Sequence, residues 1–362
     1  MSVPTISNVL SVTSQAYYAQ MTMRETGKMQ MWQFLFPEVD TDTSGTFSLQ
    51  RIMQDIYGVS YRYHNMQSAV RAYQPGVETT IRIPIASEKT PIGEDLEDAV
   101  IAGIAKNANA AERAAKLSNN IDEQFISAFN MTKNKQAIDV FVESKFVAKG
   151  DSNTNIGLDL TYDRDSDLTM AYNFTTAGNS YSKALADIQG TYRANGGNVS
   201  EMFVVLGDSW RSARLTDTAL IEWRKANMAI AQADAVEGRA LASKYEGLIF
   251  LGRDYIDGAE TPVWVFGYAP GQDFKSHDGA TAVPFIADAK AIIGSLNDKR
   301  WTVQRGIKAF TGSGKAELVA GELVLDSFNE LDPIITFKRC QTRHCFVPAN
   351  PNQTASCTGT FA

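Results

Sequence analysis

Cysteine is scarce in this chain: three residues in 362, Cys340, Cys345 and Cys357, all near one end. That excludes a disulfide framework and fits synthesis in a reducing cytosol. Histidine is as rare, with His64, His277 and His344. None stands beside a serine or cysteine in a nucleophile motif, and there is no Gly-x-Ser-x-Gly elbow. Positive charge is not in surplus: the net charge is -7, with a pI near 5.2. A nucleic-acid clamp would show a basic face, which leaves only local spots such as Lys338, Arg339 and Arg343. No window approaches the ~20 apolar residues that span a bilayer. Met1–Gln20 lacks the basic and apolar blocks of a secretory signal.

What is there is globular, 44% hydrophobic and 21% charged, with ample length for a core. Residues 1–45 scatter apolar positions without a sustained period and read as an arm laid on something larger, its aromatics Trp32, Phe34 and Phe36 too apolar for a free tail. From Phe47 to Ile85 the chain reads as extended. Ile81, Ile83 and Ile85 alternate with Thr80, Arg82 and Pro84, and Gln74-Pro75-Gly76 marks a turn ahead of them. Pro84 demotes the strand to an edge, a natural place for subunit contacts.

Thr90-Pro91 then carries a helix-start signal, with Glu94, Asp95, Glu97 and Asp98 in the first turns. Leu96, Val100, Ile104, Ala111, Ala115, Ile121, Phe125 and Phe129 fall on one face at 100° per residue. Unbroken, ~40 residues would make a rod of roughly 60 Å. Beyond it the pattern predicts a strand at Ala137–Ala148, polar loops or an insertion over Lys149–Ser180, and a helix at Ser182–Asn195 ending in Gly196-Gly197. A buried strand follows at Met202–Leu206, then a helix capped by Asp208 that holds Trp210, Leu215, Leu220 and Trp223. Strands are predicted at Tyr245–Leu251 and Val263–Tyr268, joined through Ile256-Asp257-Gly258. Others are predicted within Ala282–Ile293 and Leu318–Leu325, with a strand or hairpin at Ile334–Val347. The order indicates an α+β fold.

Candidate chemistry is thin. Thr311-Gly312-Ser313-Gly314-Lys315 resembles a phosphate loop, but Ala309 and Ala316 stand where the motif needs glycine and Ser or Thr, so a polar turn is the reading. Cys340, His344, Cys345 and Cys357 could ligate a metal, yet Cys340 and Cys345 have opposite parity on a strand and the Cys-x2-Cys spacing is absent. A metal site or a Cys345–Cys357 disulfide stays a minor alternative; no metal or cofactor is assigned. Asp163, Asp165 and Asp167 read as a solvated or weakly cation-binding loop. Trp210, Trp223, Trp264 and Trp301 read as core or interface.

In order, these elements resemble the major capsid proteins of tailed bacteriophages, the lambda-type branch of the Hong Kong 97 fold. The resemblance implies an N-terminal arm (1–45), an extended-loop hairpin (46–89) and a spine helix (about 91–132) within a peripheral segment (90–195). It further implies an axial domain (196–317), carrying Met202–Leu206, Ile256-Asp257-Gly258 and Pro284-Phe285-Ile286, and a C-terminal return to the peripheral domain (318–362). The polar stretch Lys149–Asn179 departs from the pattern. The implied function is non-enzymatic: a head protein, assembled in the host cytoplasm as hexamers and pentamers, forming the virion shell around double-stranded DNA without sequence-specific binding. Portal, scaffolding and decoration proteins are the implied partners, with no membrane and no cofactor. Expected contact residues are Tyr73, Gln74, Pro75 and Gly76 at the loop tip, Arg82 beside it, and Trp32, Phe34 and Phe36 in the arm. Some relatives crosslink through a Lys–Asn bond; Lys89 lies near the loop, but nothing identifies its partner. An encapsulin-like compartment, another virion component and a cytosolic α+β enzyme are the alternatives.

Overall fold

The computed structural model describes residues 28–44, 46–51, 77–92, 110–149, 155–255, 262–275, 282–310, 316–319, 321–331 and 334–361. Its centre is a six-stranded sheet built around Met202–Leu206 (β8), whose five residues are all buried. The other strands are Thr169–Asn173 (β7), Leu248–Asp254 (β9), Val263–Tyr268 (β10), Lys290–Ser295 (β11) and Ala355–Thr360 (β18), in the order β7-β18-β11-β8-β10-β9. The β7–β18 and β8–β10 pairs are parallel and the rest antiparallel. An unbroken apolar run is what a strand covered on both faces requires. Phe203 and Val205 turn to one core, Met202, Val204 and Leu206 to the other.

On the first face lie the short helix Met31–Leu35 (α1) and the long helix Ala110–Glu143 (α2). At 34 residues, α2 is about 51 Å long. It runs through Ala137–Glu143, where a strand is expected from sequence; Ile138, Val140, Phe141 and Val142 are all buried in the first core. A short apolar run fits a buried helix as well as a strand. The helix ends at Ser144, whose positive φ of 54° closes it in the left-handed conformation. The expected strand survives only as Lys145–Lys149 (β5), paired with Asn155–Thr161 (β6).

The opposite face is covered by Tyr181–Ala194 (α3), capped by Ser180 and finished at Gly196 with φ +83°. Beside it are Asp208–Thr216 (α4) and Thr218–Ala226 (α5), while Met228–Ala242 (α6) packs on the first core, where Ala242 is buried. The single helix expected after Asp208 is broken at Asp217, whose carboxylate caps α5 through Leu220 N at 3.1 Å. Asp208 itself is the first helical residue and pairs with Arg211 at 2.8 Å, rather than capping.

Three further expectations are corrected. Thr90 and Pro91 do not start a helix; they lie in Ala86–Ile92 (β4), an edge strand paired with Ile334–Thr342 (β16). An edge tolerates a residue with no N–H to donate. The polar stretch after Lys149 is not a loop insertion, since it supplies β6 and β7, which is a strand of the central sheet. The chain's last strand, β18, enters that same sheet, so segments expected in the peripheral and axial parts share one layer.

Glu38–Asp42 (β1), Arg300–Arg305 (β12) and His344–Pro348 (β17) make a second sheet in the order β1-β12-β17. Val324–Leu331 (β15), β16 and β4 make a third, Thr46–Arg51 (β2) pairs with Val77–Arg82 (β3), and Ile307–Phe310 (β13) pairs with Ala316–Val319 (β14). One residue, Arg343, separates β16 from β17 as the chain changes sheets. No helix among the described residues is long and apolar enough to cross a membrane.

Candidate assembly surfaces

The arm aromatics do not face outward. Trp32, Phe34 and Phe36 are 0%, 4% and 0% exposed, inside the chain's own first core. Phe34 meets Phe203, Tyr245 and Phe266 edge-on, and Phe36 packs on Phe141 and Phe346. The Trp32 amide donates to Asn134 Oδ1 at 2.9 Å, which fixes α1 on α2. The expectation that these three meet a neighbour is therefore corrected: they have almost no area left to offer one. The "something larger" beneath the arm is this chain's own core.

Tyr73, Gln74, Pro75 and Gly76 lie outside the described residues, as do the 311–315 loop and the 256–258 turn. Arg82 is exposed at the root of the β2–β3 hairpin, opposite Thr46. That root is anchored. Phe47, Ile81 and Ile83 are buried, and Arg305 lies over the Phe47 ring while donating to Thr46 O at 3.1 Å and pairing with Asp40 at 2.8 Å. From the sheet-changing position, Arg343 donates to Ile83 O at 2.7 Å and Gly306 O at 3.2 Å. The root of the hairpin is thus fixed to the chain's own sheets.

Among the described residues, exposed large apolar side chains gather on α4–α6, where Leu215, Ile221, Met228, Ile230 and Val236 are all exposed. In α6 the buried residues are Asp234, Gly238 and Ala242. At 100° per residue the face directly opposite them is Ala229, Ala233, Val236 and Ala240, all exposed. A helix covered on one side only normally turns charge to water there. Glu237 lines one flank of this apolar stripe, and Gln232 and Arg239 line the other. A face with acid on one edge and base on the other is complementary to a second copy of itself set head to tail, the arrangement that closes rings. The signal lies in the sequence as an Ala-rich helix whose outer stripe lacks charge, a pattern too weak in hydrophobicity to mark itself by periodicity.

The candidate chemistry resolves into structure. Cys340, Cys345 and Cys357 are free, buried and in three different sheets. Burial pushes the Cys340 thiol far up, and the Cys345 and Cys357 thiols up to about 12. No group of three or more metal-ligating side chains occurs among the described residues. Lys338 and Arg339 turn inward to Asp122 and Asp326, so they are not the basic surface spots the sequence suggests. Lys89 stacks its ammonium over the Phe337 ring at 4.3 Å. A cavity of about 300 Å³ at the end of β8 is lined in part by Asp208, Arg211, Asp273 and Asp288, with Arg211 already paired to Asp208.

No protein-family model matches the sequence, and no curated protein does. Solved structures do. A putative capsid protein of a prophage from E. coli CFT073 superposes with a TM-score of 0.59 over 97% of this chain and 99% of its own, at 15% identity. The chain has the Hong Kong 97-type capsid fold. A phage-related protein from Bordetella bronchiseptica RB50 superposes with a TM-score of 0.49 over 96% and 97% of the two chains, at 10% identity. The capsid of Ralstonia phage GP4 gives 0.45 over 90% and 86%, at 10% identity. On this capsid fold, α2 is the long helix and the six-stranded sheet with α3–α6 is the body beside it.

Proposed function

We propose that this chain is the major capsid protein of a tailed phage, closing an icosahedral shell of hexamers and pentamers around packaged double-stranded DNA. The observation that carries the reading is the near-complete reciprocal coverage, 97% of one chain on 99% of the other, with a protein described as a prophage capsid protein. The anchored hairpin root and the outward apolar face of α6 support it independently.

The mechanism is geometric. The α4–α6 surface meets the next copy around a ring, and the β2–β3 hairpin reaches from its fixed root over a neighbour. Two ring sizes require one contact set that works at slightly different angles. Area exchanged between copies carries the stability, as in obligate assemblies. DNA is enclosed without sequence-specific contact, in keeping with a net charge of -7. Portal and scaffolding proteins are the partners such a shell needs, and the site of assembly is the host cytoplasm.

The test is size. The purified chain is run on a gel-filtration column and viewed by negative-stain microscopy, alone and with its candidate scaffold. Shells, or hexamers and pentamers, support the reading. A monodisperse monomer at high concentration in both conditions overturns it. Shells that package protein instead of DNA would move the assignment to a cargo compartment of the same fold.

A further inference from the structure

Helix α5 is a short segment between two single-residue joints. Asp217, at φ -72° and ψ 109°, separates it from α4, and Asn227, at φ -120° and ψ 41°, separates it from α6. Over its nine residues, Leu220 alone is buried. Apolar packing on the core therefore sets its tilt weakly, and polar ties must do the rest.

Those ties converge on the end of β9. Asp254, 1% exposed, accepts from Tyr181 of α3 at 3.1 Å, from Arg214 of α4 twice at 2.7 Å, and from Arg224 of α5 at 2.8 Å. The next residue, Tyr255, stacks on Trp223 of α5 with 4.3 Å between ring centres and donates to Asp234 of α6 at 3.0 Å. The backbone makes room for this: a Cβ on Gly252, at φ +150°, would stand 2.5 Å from both guanidinium groups. Arg214 is buried, whereas Arg224 keeps about a third of its surface in water. The buried arm is structural. The partly exposed one can be lost without opening the core.

We propose that Arg224 is a positioning residue for assembly: through Asp254 it sets the tilt of α5, and with it the angle at which the apolar faces of α5 and α6 meet the next copy. The proposal rests on the shell-forming reading and adds the residue that governs ring closure. A tie of this kind at the base of a contact helix decides which ring sizes the same surface can close, because a few degrees of tilt separates one closed ring from another.

The experiment compares the full-length chain with Arg224→Ala and Arg224→Lys. Hydrogen exchange reads the tie directly. In Arg224→Ala the Thr218–Ala226 amides should exchange about fivefold faster, the factor a partly exposed ion pair supplies, while those of Ala355–Thr360 stay unchanged. Under conditions where the unmodified chain closes shells, Arg224→Ala should give open or mixed-diameter particles at an unchanged melting temperature, and Arg224→Lys should recover uniform ones. Unchanged α5 exchange overturns the proposal, and so does an unchanged particle-size distribution. Should the unmodified chain form no assemblies, the shell-forming reading falls with the assembly role, while the exchange result still decides whether Arg224 holds α5.

Discussion

The Nε2 atom of His344 lies 2.8 Å from Oε1 of Gln136, a bond that ties β17 to the C-terminal third of α2. On the other side of the ring, Nδ1 lies 3.2 Å from the Thr342 hydroxyl, and Phe146 and Phe346 pack edge-on against the imidazole. Burial, reinforced by the nearby Lys133 charge, holds the His344 pKa well below its usual value. The unfolded chain therefore takes up this proton at a pH where the folded chain does not. The stability conferred by the neutral ring is complete above about pH 6.5 and declines as pH falls below it, by at most ~1.4 kcal/mol per unit. Urea unfolding at pH 7, 6 and 5 should show this decline, and His344→Gln should flatten it. Equal slopes in the two proteins would show that His344 contributes nothing.

A second buried pair makes a sharper prediction. Lys338 Nζ sits 2.7 Å from Asp122 Oδ2, with the two side chains 0% and 7% exposed. Burial lowers the lysine pKa and raises the aspartate pKa, and each opposite charge works against the shift of the other. Asp122→Ala removes the carboxylate 2.7 Å from this buried ammonium and should destabilise the chain in denaturant unfolding, by up to about 3–5 kcal/mol. The double variant Asp122→Leu/Lys338→Met should restore most of that loss, because both desolvation costs disappear together.

Sequence patterns were legible where a single local rule decided the outcome. Met202–Leu206 is five apolar residues at the centre of a sheet, and α3 has Ser180 at one end and Gly196-Gly197 at the other. They failed where a distant partner decided. Thr90-Pro91 carries a helix-start signal, but pairing with β16 draws it into an edge strand. β18 reads Ala-Ser-Cys-Thr-Gly-Thr, with nothing of a central strand about it, and is buried only because β7 and β11 flank it. The candidate assembly surface divides the same way. The hairpin was visible as alternation at Ile81 and Ile83, whereas assigning Trp32, Phe34 and Phe36 to the inside required knowing that α1 folds back onto α2 and the sheet.

The close approach of α6 to β9 depends on a missing side chain. A Cβ on Gly238 would fall 2.3 Å from the Phe250 ring. Glycine normally weakens a helix interior relative to alanine, so an exposed site would gain from Gly→Ala. Here the overpacking outweighs that gain. Gly238→Ala should destabilise by about 1–3 kcal/mol in thermal or urea unfolding. A stabilised Gly238→Ala protein would mean that α6 can lift from the sheet freely.

Variants on the exposed faces of α4 and α6 test folding and the proposed assembly separately. Val236 and Leu215 are 73% and 71% exposed, so replacing either by glutamate removes almost no burial within the chain. The change in unfolding free energy should stay within about 0.5 kcal/mol. At Val236 the new carboxylate even stands one helical turn before Arg239, a spacing at which opposite charges attract, so a folding defect is not expected. Between two copies the same carboxylate has to be desolvated opposite an apolar surface, which costs several kcal/mol unless it finds a partner. Val236→Glu should therefore melt like the unmodified chain yet elute as dissociated subunits, and Leu215→Glu should do the same more weakly if it lies at the rim of the contact. Val236→Ala trims the apolar surface without adding a charge and should interfere less than either. Shells that form equally well with Val236→Glu would remove α6 from the contact and leave the hairpin and its Arg305–Arg343 anchorage as the surface that joins subunits.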